Sequence, residues 1–163
     1  MNEFVNFQNR SIELPAGCKD LIDVLPPPRE VRMPVEGFAH VERYLSRLFQ
    51  SAAKRRSVVI WSLDYQEHVR VSNRDGLLTL MVLVDTQDAI REQAVLRLFR
   101  EAGIPPLRDE DGRGDGIPLR VLFYPLSASV PESAALIRSL LQSVYGIAHD
   151  AGLLFHYHER DAA

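Results

Sequence analysis

The stretch Leu77–Val84 is apolar on both sides of an extended chain, with Leu78, Leu80, Val82 and Val84 on one side and Leu77, Met81 and Leu83 on the other. Successive side chains of a strand point to opposite faces, so a strand of this composition needs cover on both. A fold that contains it must supply a second layer over that strand or offer the bare side to a partner.

The segment before it sharpens the demand. Val59, Trp61, Leu63, Tyr65, Val69 and Val71 alternate with Ser62, Asp64, Gln66, His68, Arg70 and Ser72, which predicts one long strand. Asn73-Arg74-Asp75-Gly76 is turn chemistry, with Gly76 free to take positive φ, so the two strands form an antiparallel hairpin. In that hairpin Asp64, Gln66, His68 and Arg70 would accompany Leu77, Met81 and Leu83. Burying those three apolar side chains is worth roughly 1.5–3 kcal/mol each. The sequence therefore points to a protein–protein interaction module, a homodimer or a subunit of a larger assembly, with Leu77, Met81 and Leu83 as the partner-binding residues.

Helical spacing frames the hairpin. Phe38, Val41, Leu45, Leu48 and Ala52 predict a helix over 36–53, with Lys54, Arg55 and Arg56 at its C-terminal end, where cations are favoured. Asp85 or Thr86 can cap a helix running to Ala102, closed by Gly103. Ser129-Val130-Pro131-Glu132 reads as a capping box opening a helix to Val144, ended by Gly146. Leu119–Leu126 and Leu153–His158 read as strands, and 105–118, rich in Pro, Gly and acidic residues, as a polar loop. The order, roughly β-α-α-β-β-α-β-α-β, gives an α+β two-layer sandwich: a mixed, mostly antiparallel sheet with helices packed on it. Ahead of it, Ser11–Leu14 suits a strand and 15–25 a short helix ended by Pro26-Pro27-Pro28, so 1–28 reads as an N-terminal arm and 29–163 as one domain.

Composition excludes several classes. With 163 residues, 46% hydrophobic and 25% charged, the chain can bury a self-sufficient core and is not of disordered type. A net charge of −3 argues against a protein whose main work is neutralising phosphates. One cysteine, Cys18, favours a reducing cytoplasm, and no stretch has the apolar length of a membrane span.

Three constellations carry chemistry of their own. His156 and His158, two apart on a strand, project from one face and could share a metal ion, the alternative reading being a metal-dependent enzyme that uses this face, with His149, Glu159 or His68 as a third ligand. The plainer reading turns Phe155 and Tyr157 inward and both histidines to water, with no cofactor and no catalytic residues. Arg43, Arg47, Lys54, Arg55 and Arg56 could form a basic helix end for nucleic acid, although helix capping explains those charges as well. Cys18, on an apolar stripe, reads as a buried thiol, and Asp109–Gly116 fails as a calcium loop because Arg113 stands where a ligand oxygen is needed.

Overall fold

A computed structural model describes residues 2–7, 10–15, 34–50 and 55–160. The expected arm helix, the triple proline, Cys18 and Lys54 lie outside the described residues. The strands are β1 (Asn2–Phe7), β2 (Arg10–Pro15), β3 (Val35–Glu36), β4 (Arg55–Ser62), β5 (His68–Arg74), β6 (Leu77–Asp85), β7 (Arg108–Gly114), β8 (Ile117–Pro125) and β9 (Leu153–Arg160). The helices are α1 (His40–Gln50), α2 (Ala89–Glu101) and α3 (Val130–Ser139), the last running on into a π-helical turn, Leu140–Val144.

The strands form one sheet in the order β1-β2-β7-β8-β6-β5-β4-β9-β3, and every described pairing is antiparallel. The pattern follows from where the helices cross. Each of them links two strands that run the same way: β3 to β4 around β9, β6 to β7 around β8, and β8 to β9 around β6, β5 and β4. The first two crossovers move one way along the sheet from strands pointing up, taking β4 as up, and the third moves the other way from a strand pointing down. One common hand, the rule for such connections, therefore lands all three helices on the same face. The core agrees: Leu45 and Leu48 of α1, Val95 and Phe99 of α2 and Ala134 and Ile137 of α3 share one cluster with Val58, Ile60, Val69, Val71, Leu78, Leu80, Val82 and Val84. The architecture is an α+β two-layer sandwich.

Several elements depart from the sequence reading. The long strand expected over 59–71 is two strands, because the chain reverses at 63–67; Val59 and Trp61 consequently turn away from the helices while Val69 and Val71 face them. The segment expected to be a polar loop contains β7, a strand polar enough to have no alternation to see. It is held along β8 by register pairs from Arg108↔Phe123 to Gly114↔Ile117, and by Arg120, whose guanidinium reaches the Asp109 carboxylate and, at 2.8 Å, that of Glu92. Arg55 and Arg56 belong to β4 instead of a helix end. Asp88, not Asp85 or Thr86, caps α2 by accepting the Arg91 N–H at 3.0 Å. Ser129 caps α3, but Glu132 accepts from the Ser127 hydroxyl at 3.1 Å instead of closing the box. Leu153–Arg160 is a strand as expected, and β1 and β2, from the segment read as an arm, extend the sheet beyond β7 through Ile12↔Gly114 and Glu13↔Arg113.

Candidate protein-interaction surface

Alternation and register set the side chains of the face opposite the helices in rows. One row runs Val35, Leu154, Trp61, His68, and the next His156, Val59, Arg70, Met81, Phe123, Arg108. Its centre is buried within the single chain: Val59, Trp61, Arg70, Met81, Phe123, Leu154 and His156 all lie out of solvent. Val59, Trp61 and Leu154 form an apolar cluster separate from the main core.

The upper end of that face, where β4 finishes and β9 begins, is different. Val35 is 62% exposed, Leu63 50% and Tyr65 38%, and they border the buried Trp61 and Leu154. Val35 and Leu63 close on each other around Gly152, where a Cβ would stand 2.9 Å from Val35 Cγ1 and 3.6 Å from Leu63 Cδ1. The Tyr65 ring meets Trp61 edge-on at 6.1 Å, and the His68 ring stacks on the indole at 4.4 Å. Large apolar side chains exposed around an aromatic floor have the anatomy of a docking site.

The loop that presents Leu63 and Tyr65 is held in place by its hydrogen bonds. The Ser62 N–H donates to the Glu67 carbonyl at 2.9 Å, and the Tyr65 N–H to the Ser62 carbonyl at 3.0 Å. The Asp64 carboxylate accepts from the Ser62 hydroxyl and from the Gln66 N–H, and the Ser62 hydroxyl accepts the Glu67 N–H at 3.0 Å. The Ser62 hydroxyl first and the Gln66 N–H second hold the Asp64 carboxyl below the usual carboxylate range. Within this frame Tyr65 has φ 59°, the left-handed region, which costs an L residue about 1–2 kcal/mol. Glu67 pairs with Arg91 of α2, and the Arg91 guanidinium lies 5.2 Å over the ring of Tyr145, whose hydroxyl pKa burial pushes well up. The loop is thereby tied to the helical layer.

The residues singled out in the sequence are scattered by comparison. Leu77, Met81 and Leu83 do share the face opposite the helices, but Leu77 is 53% exposed, Leu83 half-buried and Met81 only 4% exposed. Met81 is covered within the chain and lines a gap of about 30 Å³ with Ser72, Arg74, Thr79 and Phe123. His156 and His158 project from one face, opposite Val59 and Ser57, but His156 is buried instead of facing water. Burial, then the charges of His158 and Arg70, push its imidazole pKa down. Among the described residues no group of three His, Cys, Asp or Glu side chains is placed to hold a metal ion. His149 is exposed, four residues ahead of β9. Of the basic set, Arg43 reaches Glu36 at 3.4 Å and Arg47 lies 3.9 Å over the Tyr157 ring, both on α1. Arg55 and Arg56, consecutive on β4, point to opposite faces of the sheet, so the set does not present one basic surface.

The sequence treated Leu63 and Tyr65 as strand residues and passed over Val35. The signal that was available lay in Ser62-Leu63-Asp64-Tyr65, since Ser and Asp are residues that cap and turn the backbone through their own side chains. No family model, no curated protein and no solved structure matches this chain.

Proposed function

We propose that this chain is a non-catalytic protein–protein interaction module, and that the upper end of the face opposite its helices receives another protein chain or a second copy. One observation carries the reading: Val35, Leu63 and Tyr65 stand exposed together around Trp61, with Tyr65 held in left-handed backbone by the hydrogen bonds of its loop. Strain of this kind persists only where the surroundings over-determine it, and it aims a Tyr, a residue enriched at binding hot spots, toward solvent. The same face holds Leu77, Met81 and Leu83; the half-buried Leu83, two residues beyond Met81 toward the upper end, extends its accessible apolar area to β6, whereas Leu77 stands at the lower end of the strands.

The test is sedimentation of the full chain at micromolar concentration, joined to photocrosslinking in the producing cells from a probe at Leu63, with the exposed Gln93 as control. A dimer that Leu63→Glu and Tyr65→Glu dissociate supports a second copy. A monomer that gives one discrete adduct from position 63, lost in Tyr65→Glu and absent from position 93, supports a different protein. A monomer with no adduct from position 63 overturns the reading.

A further inference from the structure

β7 pairs with β8 on the side away from β6, so the sheet continues past the flank of α2. On the helix-bearing face, Arg120 and Tyr124 of β8 and Asp109 of β7 line a trough of about 480 Å³ beside that flank, with Leu96, Ile104, Pro105 and Pro106 as apolar walls. Its upper end is fixed by Arg120, which donates to the Asp109 carboxylate at 2.7 Å and to the Glu92 carboxylate at 2.8 Å. Its lower end is the connection from α2 to β7. That connection is pinned twice: the Ile104 N–H donates to the Phe99 carbonyl at 2.9 Å, and the Leu107 N–H to the Phe123 carbonyl at 2.7 Å. Apolar walls with a few placed polar groups are the form that small-molecule sites take, and the volume is in their range.

Two polar groups of the trough have no hydrogen-bond or ion-pair partner among the described residues. The first is the Tyr124 hydroxyl. Tyr124 is only 1% exposed and its ring stacks on Phe99 at 3.6 Å, yet the residue lines the trough. A buried tyrosine as a rule finds a partner for its hydroxyl, and the trough is where one would sit. Burial first, then the Asp109 charge, push its pKa up to about 12, so it is a neutral donor and acceptor. The second group is the Arg100 guanidinium. Arg120 has its charge met by two carboxylates, which leaves Arg100 as the uncompensated cation of the lining. Of its neighbours on α2, Arg97 adds charge of the same sign, whereas Glu101 borders a different groove on the other flank of the helix. The Asp109 charge that reaches the Tyr124 hydroxyl disfavours a second anion there. The trough therefore matches one negative charge at Arg100, an apolar body, and a neutral hydrogen-bonding group at Tyr124.

We propose that the trough between α2 and β7 binds a small monocarboxylate with a ring-sized apolar body. Its carboxylate lies against Arg100, its body between Leu96 and the 104–106 segment, and a neutral polar group on the Tyr124 hydroxyl. The site is on the helix-bearing side of the sheet, away from Val35, Leu63 and Tyr65, so it stands or falls independently of that surface.

The probes are para-hydroxyphenylacetate, which has all three parts, phenylacetate, which lacks the hydroxyl, and tyramine, which exchanges the carboxylate for an ammonium. Each is titrated into the isotope-labelled full-length chain and followed by amide chemical shifts, at the affinities on the order of millimolar that ligands of this size reach. para-Hydroxyphenylacetate is expected to give saturable shifts centred on Gly103, Ile104 and Arg120. Phenylacetate should bind about fivefold more weakly, and tyramine should not saturate. Arg100→Gln should weaken both acids about tenfold, whereas Arg97→Gln, the same change one turn away and outside the lining, should stay within about twofold. Tyr124→Phe keeps the ring on Phe99 and should erase the difference between the two acids. Tyramine binding as tightly as the acids overturns the charge assignment, and a difference between the acids that survives Tyr124→Phe overturns the part given to the hydroxyl. Shifts that do not saturate with either acid, or that centre elsewhere, overturn the proposal whole. Circular dichroism of each variant checks that the fold is intact.

Discussion

At the scale of single residues, Tyr65 is where local preference and global fold disagree. Its φ of 59° is one that Asn tolerates and a β-branched side chain resists. Tyr65→Asn should therefore change stability by no more than about 0.5 kcal/mol, strain relief offsetting the lost contact with Trp61, whereas Tyr65→Val should cost about 1–2 kcal/mol. Urea denaturation of the two variants against the parent measures both, and equal losses would mean that the ring contact outweighs the backbone. His156 bears on pH. Its pKa is depressed in the folded chain by burial, by His158 and by Arg70, so on acidification the unfolded chain takes up a proton first. The contribution of His156 is thus fully present above the unfolded value of about 6.5 and is lost as pH falls through the lower folded value. His156→Leu should flatten the fall of the urea midpoint between pH 7 and pH 5; an unchanged slope would assign that fall to other groups.

At the scale of elements, β6 was read correctly as apolar on both sides, and the structure shows that its two sides are not equivalent along their length. Met81 is buried and Leu77 exposed, although both face away from the helices. Met81→Ala should cost about 2–4 kcal/mol by leaving a void beside Phe123, and Leu77→Lys should stay within about 0.5 kcal/mol, both read from thermal or urea unfolding of the full chain. Comparable losses at the two positions would show that Leu77 is covered in solution. The hairpins show how far the sequence could be read. Asp75-Gly76 and Asp115-Gly116 are the same two-residue turn, with φ of 52° and 87° in the first and 51° and 79° in the second. The first was legible because Leu77–Val84 follows it with strong apolar content. The second was read as loop because β7, Arg108–Gly114, has no apolar face and takes its place through pairing with β8 and the Asp109–Arg120 contact, neither of which periodicity can register. The break between β4 and β5 was hidden for the opposite reason: Leu63 and Tyr65 continue the apolar alternation across a reversal that Ser62 and Asp64 make with their side chains. The helices were legible because each buries one stripe at the helical period.

At the scale of the whole molecule, the crossovers decide how the chain must assemble. β9, last among the described strands, inserts between β4 and β3, and its residues pair with all of β4 from Arg55↔Arg160 to Ser62↔Leu153. The main core cannot close on that side until β9 arrives, because Leu153 and Phe155 belong to it and Phe155 stacks on Tyr44 of α1 at 4.4 Å. Pairings between strands this far apart in sequence carry a large loop-closure cost before they gain contacts, which places folding among the slower single domains, on the order of milliseconds to seconds. A chain ended after Gly152 should therefore lack near-ultraviolet circular dichroism and a cooperative urea transition while keeping part of its helical signal, since the helices are local and the sheet is not. Adding the 153–163 peptide in excess should restore the transition if the remaining eight strands hold the gap open for it. A truncated chain that unfolds as cooperatively as the parent would show that β4 and α1 close the core without β9, and the sheet order would then not be what limits assembly.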